Sequence, residues 1–199
     1  MQMEVLSDQD RGFSTRMRSL AATTFLRADV LRSKAGEEGA LPTAVDALRR
    51  LDDGVSVLEY DILISNPPYI SSKAFQTTTA RSVRLFEPKL ALVPCRPSTE
   101  AAAHDGDVFY PRLLHLAEQL STKIVLFEVA DMDQAQRVAS LAVKQGIWDG
   151  IEIWRDEPGT PNGQHESTTV IDGAVVKVRG AGHGRSVFAY RGAGTTWAQ

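Results

Sequence analysis

Two short runs of almost uninterrupted apolar residues constrain the fold of this 199-residue chain more than any other feature. The runs are YDILIS at residues 60–65 and KIVLFEV at residues 123–129. Strands that are apolar on both faces are typical of a parallel sheet covered by helices, whereas half-exposed strands alternate apolar and polar residues. The pattern predicts an α/β fold in which these two strands are adjacent and central.

Helical patterns alternate with the apolar runs. Residues 108–120, VFYPRLLHLAEQL, place leucines on one helical stripe, and a second helix follows KIVLFEV, with Asp131 as its N-cap and Gly146 as its end. GIEIWRD at residues 150–156 and RSVFAYR at residues 185–191 are predicted to be antiparallel strands at one edge of the sheet.

Other segments have weaker patterns. TTFLRADVL is interpreted as a short strand that ends at Asp29, and PTAVDALRRL as a helix with Pro42 in its first turn. The segment from Ser71 to Asp107 is predicted to be a long loop over the carboxyl edge of the sheet. VRGAGHGRS at residues 178–186 is interpreted as a flexible hairpin loop.

Composition excludes several classes of protein. A net charge of -3 argues against a broad nucleic-acid surface, so any such contact is expected to be local or indirect. A single cysteine, Cys95, permits no disulfide within the chain and favours an intracellular compartment, mitochondrial or cytoplasmic. The four histidines share no ligand spacing, so no metal site is predicted. No run approaches the roughly 18 apolar residues of a membrane-spanning helix.

The residues that follow YDILIS are Asn66, Pro67, Pro68 and Tyr69, and they would emerge where ligands bind in open α/β sheets. Proline fixes its own φ and restricts the preceding residue, so the carbonyl groups of Asn66 and Pro67 point in set directions. The Asn66 side-chain oxygen beside a fixed carbonyl offers two acceptors for one planar NH2 group. Tyr69 adds a flat face against that group.

This arrangement suits methyl transfer from a sulfonium to an amino or amide nitrogen, because it orients a weak nucleophile and places dipoles where charge grows. The alternative is a strand that ends in an asparagine-proline turn, with Tyr69 packed on the core. The complete motif on a buried strand favours the functional interpretation.

The motif DILISNPPYI resembles motif IV of the class I amino-methyltransferases that use S-adenosylmethionine. Four further blocks resemble the release-factor glutamine methyltransferases, the HemK/PrmC family, and the resemblance runs from about Phe25 to Arg191. The blocks are RSVRLFEPKLAL (81–92), HDGDVFYPRLL (104–114), VLFEVADMDQAQRV (125–138) and GHGRSVFAYR (182–191).

The resemblance implies a three-layer Rossmann-like methyltransferase fold, with a mainly parallel sheet, an antiparallel edge strand and the first strand or strands lacking. It implies S-adenosylmethionine as cofactor and a peptide-chain release factor as partner, methylated on the glutamine of its Gly-Gly-Gln motif. Asn66 and Pro67 would be catalytic and would bind the target amide together with Pro68 and Tyr69.

The resemblance also assigns three carboxylates. Asp29 matches the acidic position that contacts the cofactor adenine, and Asn66 would also touch the cofactor; a turn-capping role for Asp29 is equally open. Glu87 would orient the substrate loop or pair with Arg84 or Lys89. Glu128 matches a family residue at a strand end, where a structural role is favoured.

The chain departs from the family pattern before Phe25, where neither the glycine-rich cofactor turn nor the acid that holds the ribose is found. We therefore expect a single partial methyltransferase domain, with a poorly ordered tail at 1–22, a core at 23–192 and a tail at 193–199. Two alternatives stay open: an inactive methyltransferase-like binding module, and a DNA or RNA amino-methyltransferase.

Overall fold

The structure is a computed structural model that describes residues 21–34, 39–51, 57–94, 105–159 and 167–197. Its six strands are β1 (Ile62–Ser65), β2 (Ile124–Glu128), β3 (Gly150–Glu157), β4 (Ser167–Ile171), β5 (Ala174–Arg179) and β6 (Ala181–Tyr190). Its helices are α1 (Ala44–Arg49), α2 (Ser72–Thr77), α3 (Arg81–Phe86), α4 (Lys89–Leu92), α5 (Tyr110–Gln119), α6 (Met132–Gln145) and α7 (Gly194–Trp197), with a 3-10 turn at Asp105–Asp107.

The six strands form one sheet in the order β1-β2-β6-β3-β5-β4, which confirms the α/β fold. Strands β1 and β2 are parallel neighbours, with Ile62 opposite Ile124 and Ser65 opposite Phe127, as predicted. In the described part of the sheet β1 is an edge strand, whereas β2 has a neighbour on both sides. The sequence placed both strands at the centre, because a doubly apolar run does not reveal how many neighbours it has.

Strand β6 lies between β2 and β3 and is antiparallel to both. Its antiparallel pairing with β3 is confirmed, but its predicted position at an edge is wrong. The edge is occupied instead by the hairpin β4–β5, which turns tightly at Asp172 and Gly173, both with positive φ. With β1–β2 and β3–β5 parallel, the described sheet is mixed.

Helices α5 and α6 cover one face of the sheet, where the core lies. Val125 and Phe127 of β2, Val187 of β6 and Ile153 of β3 are buried there with the apolar stripes of both helices. Helix α6 begins and ends as predicted: the Asp131 carboxylate accepts from the backbone N–H of Gln134 at 2.8 Å, and Gly146 ends the helix with a φ of 70°. The other face of β1 is open, since Ile64 is 69% exposed.

Three local predictions are wrong. Residues 23–28 form no strand, because a segment with β-forming residues becomes a strand only where it pairs with a neighbouring one. Asp29 pairs with Thr43 through an isolated bridge. Pro42 precedes the N-cap Thr43 instead of lying in the first turn of α1. The predicted loop between Ser71 and Asp107 contains α2, α3, α4 and the 3-10 turn in its described part.

Of the three glycines predicted to form a hairpin loop, Gly182 and Gly184 belong to β6, and Gly180 is the single residue between β5 and β6. A Cβ at Gly182 would lie 2.6 Å from an Asp156 carboxylate oxygen, and one at Gly184 would lie 2.9 Å from Cα of Met132. These glycines therefore permit close packing of a strand. In the described residues no helix is long and apolar enough to cross a membrane. Residues 1–20 of the predicted N-terminal tail lie outside the described residues. In the predicted C-terminal tail, residues 194–197 form the short helix α7.

Candidate functional site

The candidate site begins where β1 ends at Ser65. The next residues cannot extend the strand pairing through Pro67 and Pro68, which lack a backbone N–H. Asn66 is exposed and Pro67 is buried, so the chain turns away from the sheet with the asparagine outside. The N–H of Ile70 then donates to the carbonyl of Leu92 at 2.9 Å, which ties the loop to α4.

Tyr69 is anchored at its hydroxyl. The hydroxyl donates to Oε1 of Glu128, the last residue of β2, at 2.9 Å. Burial, followed by the hydrogen bond to Glu128, raises the pKa of Tyr69 to about 12. The hydroxyl therefore remains a donor at neutral pH.

The main chain of Tyr69 is anchored separately by Gln134 of α6, which is 3% exposed. Its side-chain nitrogen donates to the Tyr69 carbonyl at 3.2 Å and to Oδ1 of Asp107 at 2.8 Å. Its side-chain oxygen accepts from the N–H of Ala130 at 2.8 Å. Asp107 is in turn held by Arg137, with Nε and Oδ2 2.6 Å apart. The loop is thus fixed by a satisfied buried polar network.

Two clefts meet at this loop. A cleft of about 360 Å3 is lined by Ser65, Asn66, Glu128, the end of β3 and the middle of β6. A cleft of about 810 Å3 is lined by Tyr69, by α2 and α3, and by the first turns of α6. Arg185 lines both clefts, and its guanidinium binds Asp156 at 2.7 Å and the carbonyl of Ala130 at 3.2 Å.

The structure places two of the predicted amide-binding residues in different clefts. Asn66 lines the smaller cleft, and Tyr69 lines the larger one. Pro67 and Pro68 connect them. Glu87 follows α3 as an exposed residue and is not among the described residues that line either cleft. Neither of its predicted partners contacts it in the described bonds: Arg84 donates to the Gln76 carbonyl, and Lys89 lies over the Phe75 ring.

Asp29 lies apart from the loop. Its Oδ1 accepts from the N–H of Leu31 at 3.0 Å, which is the turn-capping contact that sequence left open. The same turn is docked on α5, because Arg112 donates to the carbonyls of Val30 and Arg32. Asp29 is not among the residues that line the two clefts.

Sequence reasoning missed Gln134, Asp107 and Arg185 as parts of the site. Their contacts join positions far apart in the chain, so the local spacing of residues does not predict these contacts. One signal was available: Gly106 lies so close to the loop that a Cβ there would be 2.4 Å from the Tyr69 carbonyl oxygen. A glycine in a tightly packed segment indicates such a backbone approach.

The described residues fit the methyl acceptor better than the methyl donor. Asn66 is exposed and lines the smaller cleft, whereas Pro67 is buried and lines neither; no strand-to-helix glycine turn for the donor's carboxylate is found in the described segments. Gly182 and Gly184, the candidates in the sequence, pack against Asp156 and Met132 inside β6. In those segments no group of three or more His, Cys, Asp or Glu side chains could hold a metal ion.

The described chain is an α/β sheet in which an Asn-Pro-Pro-Tyr loop follows the parallel edge strand β1. Comparison with curated proteins finds similarity to two methyltransferases. The chain is 31% identical over 107 residues to the probable MRF1 mitochondrial N(5)-glutamine methyltransferase mtq1 of Schizosaccharomyces pombe, a match that covers 49% of this chain and 32% of the relative.

It is also 33% identical over 101 residues to the release factor glutamine methyltransferase of Nitratidesulfovibrio vulgaris, covering 50% of this chain and 31% of the relative. The resemblance to the release-factor glutamine methyltransferases is thereby confirmed over half of the chain, which spans about a third of these relatives' length. No family model matches the chain. No solved structure matches it.

Proposed function

We propose that this protein methylates the side-chain amide nitrogen of a protein glutamine, using S-adenosylmethionine, and that the glutamine is that of the Gly-Gly-Gln motif in a peptide-chain release factor. The observation that carries the proposal is the exposed Asn66, followed by Pro67 and Pro68, at the carboxyl end of β1. The names of both relatives support the glutamine and the release factor as substrate.

The chain's own residues would act on the amide. Oδ1 of Asn66 and the carbonyl oxygen of Pro67 accept the two N–H groups of the target, which orients the nitrogen lone pair. Because an amide nitrogen is a weak nucleophile, positive charge on it must be stabilised as the new N–C bond forms, and two fixed acceptor dipoles do this without reorganising. The S–CH3 bond of the donor would break, a neutral thioether would leave, and the surplus proton of the methylated nitrogen would pass to water. The Glu128 hydrogen bond holds Tyr69, the residue that follows the two prolines.

The compartment is part of the proposal. The name of the S. pombe relative places that protein in mitochondria. An intracellular site of action, mitochondrial or cytoplasmic, agrees with a release-factor substrate.

The test compares Asn66→Ala with the unaltered full-length protein, with a release factor as substrate and S-adenosylmethionine in excess. Mass spectrometry of the peptide that contains Gly-Gly-Gln measures the added methyl group over time. We expect kcat to fall on the order of 100-fold, because one preorganised dipole is lost, while KM for the donor stays within about threefold.

Gln136→Ala is the matched control, since Gln136 is an exposed amide on α6 that lines neither cleft. It should retain the activity of the unaltered protein. Absence of methyl transfer to the glutamine, transfer to nucleic-acid bases instead, or an unchanged kcat in Asn66→Ala would each contradict the proposal.

A further inference from the structure

Glu128 is the point at which the candidate loop is joined to the centre of the sheet. It is the last residue of β2, and its carboxylate accepts from the Tyr69 hydroxyl at 2.9 Å. Its backbone carbonyl accepts from the hydroxyl of Tyr110 at 2.8 Å. One residue therefore receives two tyrosine hydroxyls, but only the first comes from the loop that carries Asn66.

The Tyr69–Glu128 hydrogen bond crosses the boundary between the two clefts. Tyr69 lines the cleft of about 810 Å3, and Glu128 lines the cleft of about 360 Å3 together with Asn66. Arg185 lines both clefts beside this bond and is itself held by Asp156. The side chains of Tyr69, Glu128 and Arg185 thus separate the space next to Asn66 from the larger space under α2 and α3.

The direction of Asn66 depends on this contact. Pro67 and Pro68 leave little torsional freedom between Asn66 and Tyr69, so a rotation of the Tyr69 backbone is passed on to the Pro67 carbonyl. Gln134 holds the Tyr69 carbonyl at 3.2 Å, and Glu128 holds the far end of the same side chain. Two anchors at opposite ends of one residue fix its orientation.

We propose that Glu128 is a positioning residue for the methyl transfer: through Tyr69 it fixes the acceptor groups of Asn66 and Pro67 and maintains the wall between the two clefts. This inference rests on the proposed function. On this proposal the Glu128 carboxylate orients the target amide and takes no part in proton transfer.

The chain offers variants that separate this role from a purely structural one. Tyr69→Phe keeps the aromatic ring and removes only the hydroxyl that reaches Glu128. Glu128→Ala removes the acceptor, whereas Glu128→Gln keeps an oxygen at the same position. Tyr190→Phe is the matched control, because it removes a tyrosine hydroxyl on β6 and Tyr190 lines neither cleft.

The experiment measures kcat and KM of the full-length protein for release-factor methylation, at a temperature where melting curves show every variant folded. We expect Tyr69→Phe and Glu128→Ala each to lower kcat by about tenfold, the equivalent of about one lost hydrogen bond, with KM for the donor unchanged. The double variant should be no slower than either single variant, since both remove the same contact. Glu128→Gln should retain kcat within about threefold.

Tyr190→Phe should leave kcat unchanged. If Glu128→Ala and Tyr69→Phe match the unaltered protein while Asn66→Ala is inactive, the inference is overturned and the proposed function stands. If Glu128→Gln is as slow as Glu128→Ala, the charge and not the position matters, and the inference is overturned. If the unaltered protein transfers no methyl group, both fall.

Discussion

Tyr69 and Tyr110 hold their hydroxyl protons more tightly than a tyrosine in water. For Tyr69 burial and the Glu128 hydrogen bond raise the pKa to about 12. For Tyr110 burial is again the main cause, followed by the negative charge of Asp107, and its pKa is also raised. Both residues sit at the junction of β2 with the candidate loop, so this junction keeps its hydroxyl protons to a higher pH than an ordinary tyrosine would.

This predicts how the free energy of unfolding depends on pH. A tyrosine with a raised folded-state pKa contributes stability that is complete below the unfolded pKa and is lost as pH rises through the folded one. For Tyr69 the loss falls between about pH 10 and about pH 12. Urea unfolding across this range should show a smaller loss in Tyr69→Phe than in the unaltered protein. Equal slopes in the two proteins would contradict the assignment.

Gly106 tests the close approach of the 3-10 turn to the loop. A Cβ at this position would lie 2.4 Å from the Tyr69 carbonyl oxygen and 3.2 Å from the Gln134 side-chain nitrogen. Gly106→Ala should therefore lower the free energy of unfolding by about 1–3 kcal/mol, as overpacking does. Its methyl-transfer rate should also fall, because the Tyr69 backbone must move.

Gly159→Ala is the control for this substitution, since a Cβ there meets no atom within 4 Å. It should change the free energy of unfolding by less than about 0.5 kcal/mol. Urea unfolding of both variants makes the comparison. Similar free energies of unfolding for the two variants would contradict the prediction and show that the backbone near Gly106 shifts to accommodate a methyl group.

At the scale of elements, α6 supports the site through its first turn. Asp131 caps the helix by accepting from the Gln134 N–H at 2.8 Å, and the side chain of Gln134 holds the loop. Asp131→Ala should lower the free energy of unfolding by about 1 kcal/mol, because one buried helix donor loses its partner. Asp133→Ala, in the same turn but without a cap bond, should lower it by less. Thermal unfolding of both variants distinguishes the two effects.

The sequence predicted well those elements whose apolar stripe, cap and end residue all lie within one segment. The stripe of Ala135, Val138 and Ala139, the cap Asp131 and the stop Gly146 all lie within one segment, and α6 has the predicted bounds. The order of strands was predicted less well, because neighbours in a sheet are chosen by packing. The segment at Gly182 and Gly184 shows this: glycine indicates a loop locally, but here it allows β6 to pass Asp156 and Met132.

The candidate site also has parts that the sequence predicts and parts that it does not. The location of Asn66 and Tyr69 after β1 could be predicted, because a proline pair must end a strand. The partner of Tyr69 could not, since Glu128 is 59 positions away and meets it only through the pairing of β1 with β2. The separation of Asn66 and Tyr69 into two clefts depends on Arg185, which arrives on β6.

At the scale of the whole molecule, the affinity for the methyl donor can be measured directly. We expect the 199-residue chain to bind S-adenosylmethionine more weakly than micromolar, because its described residues offer no glycine turn for the donor's carboxylate. Each polar contact that is not made costs about 1 kcal/mol, and about 1.4 kcal/mol is a tenfold loss. Isothermal titration calorimetry gives the Kd, and S-adenosylhomocysteine serves as a second, unreactive ligand. Micromolar binding would mean that the donor site is built from residues other than those expected.

The position of β6 imposes an order on synthesis. β6 joins β2 to β3, but along the chain it follows β3, β4 and β5. Without β6, the edges of β2 and β3 that it covers have no partner strand in the described sheet. Because unpaired strand edges favour aggregation, we expect a chain that ends before β6 to aggregate more readily than one that contains it.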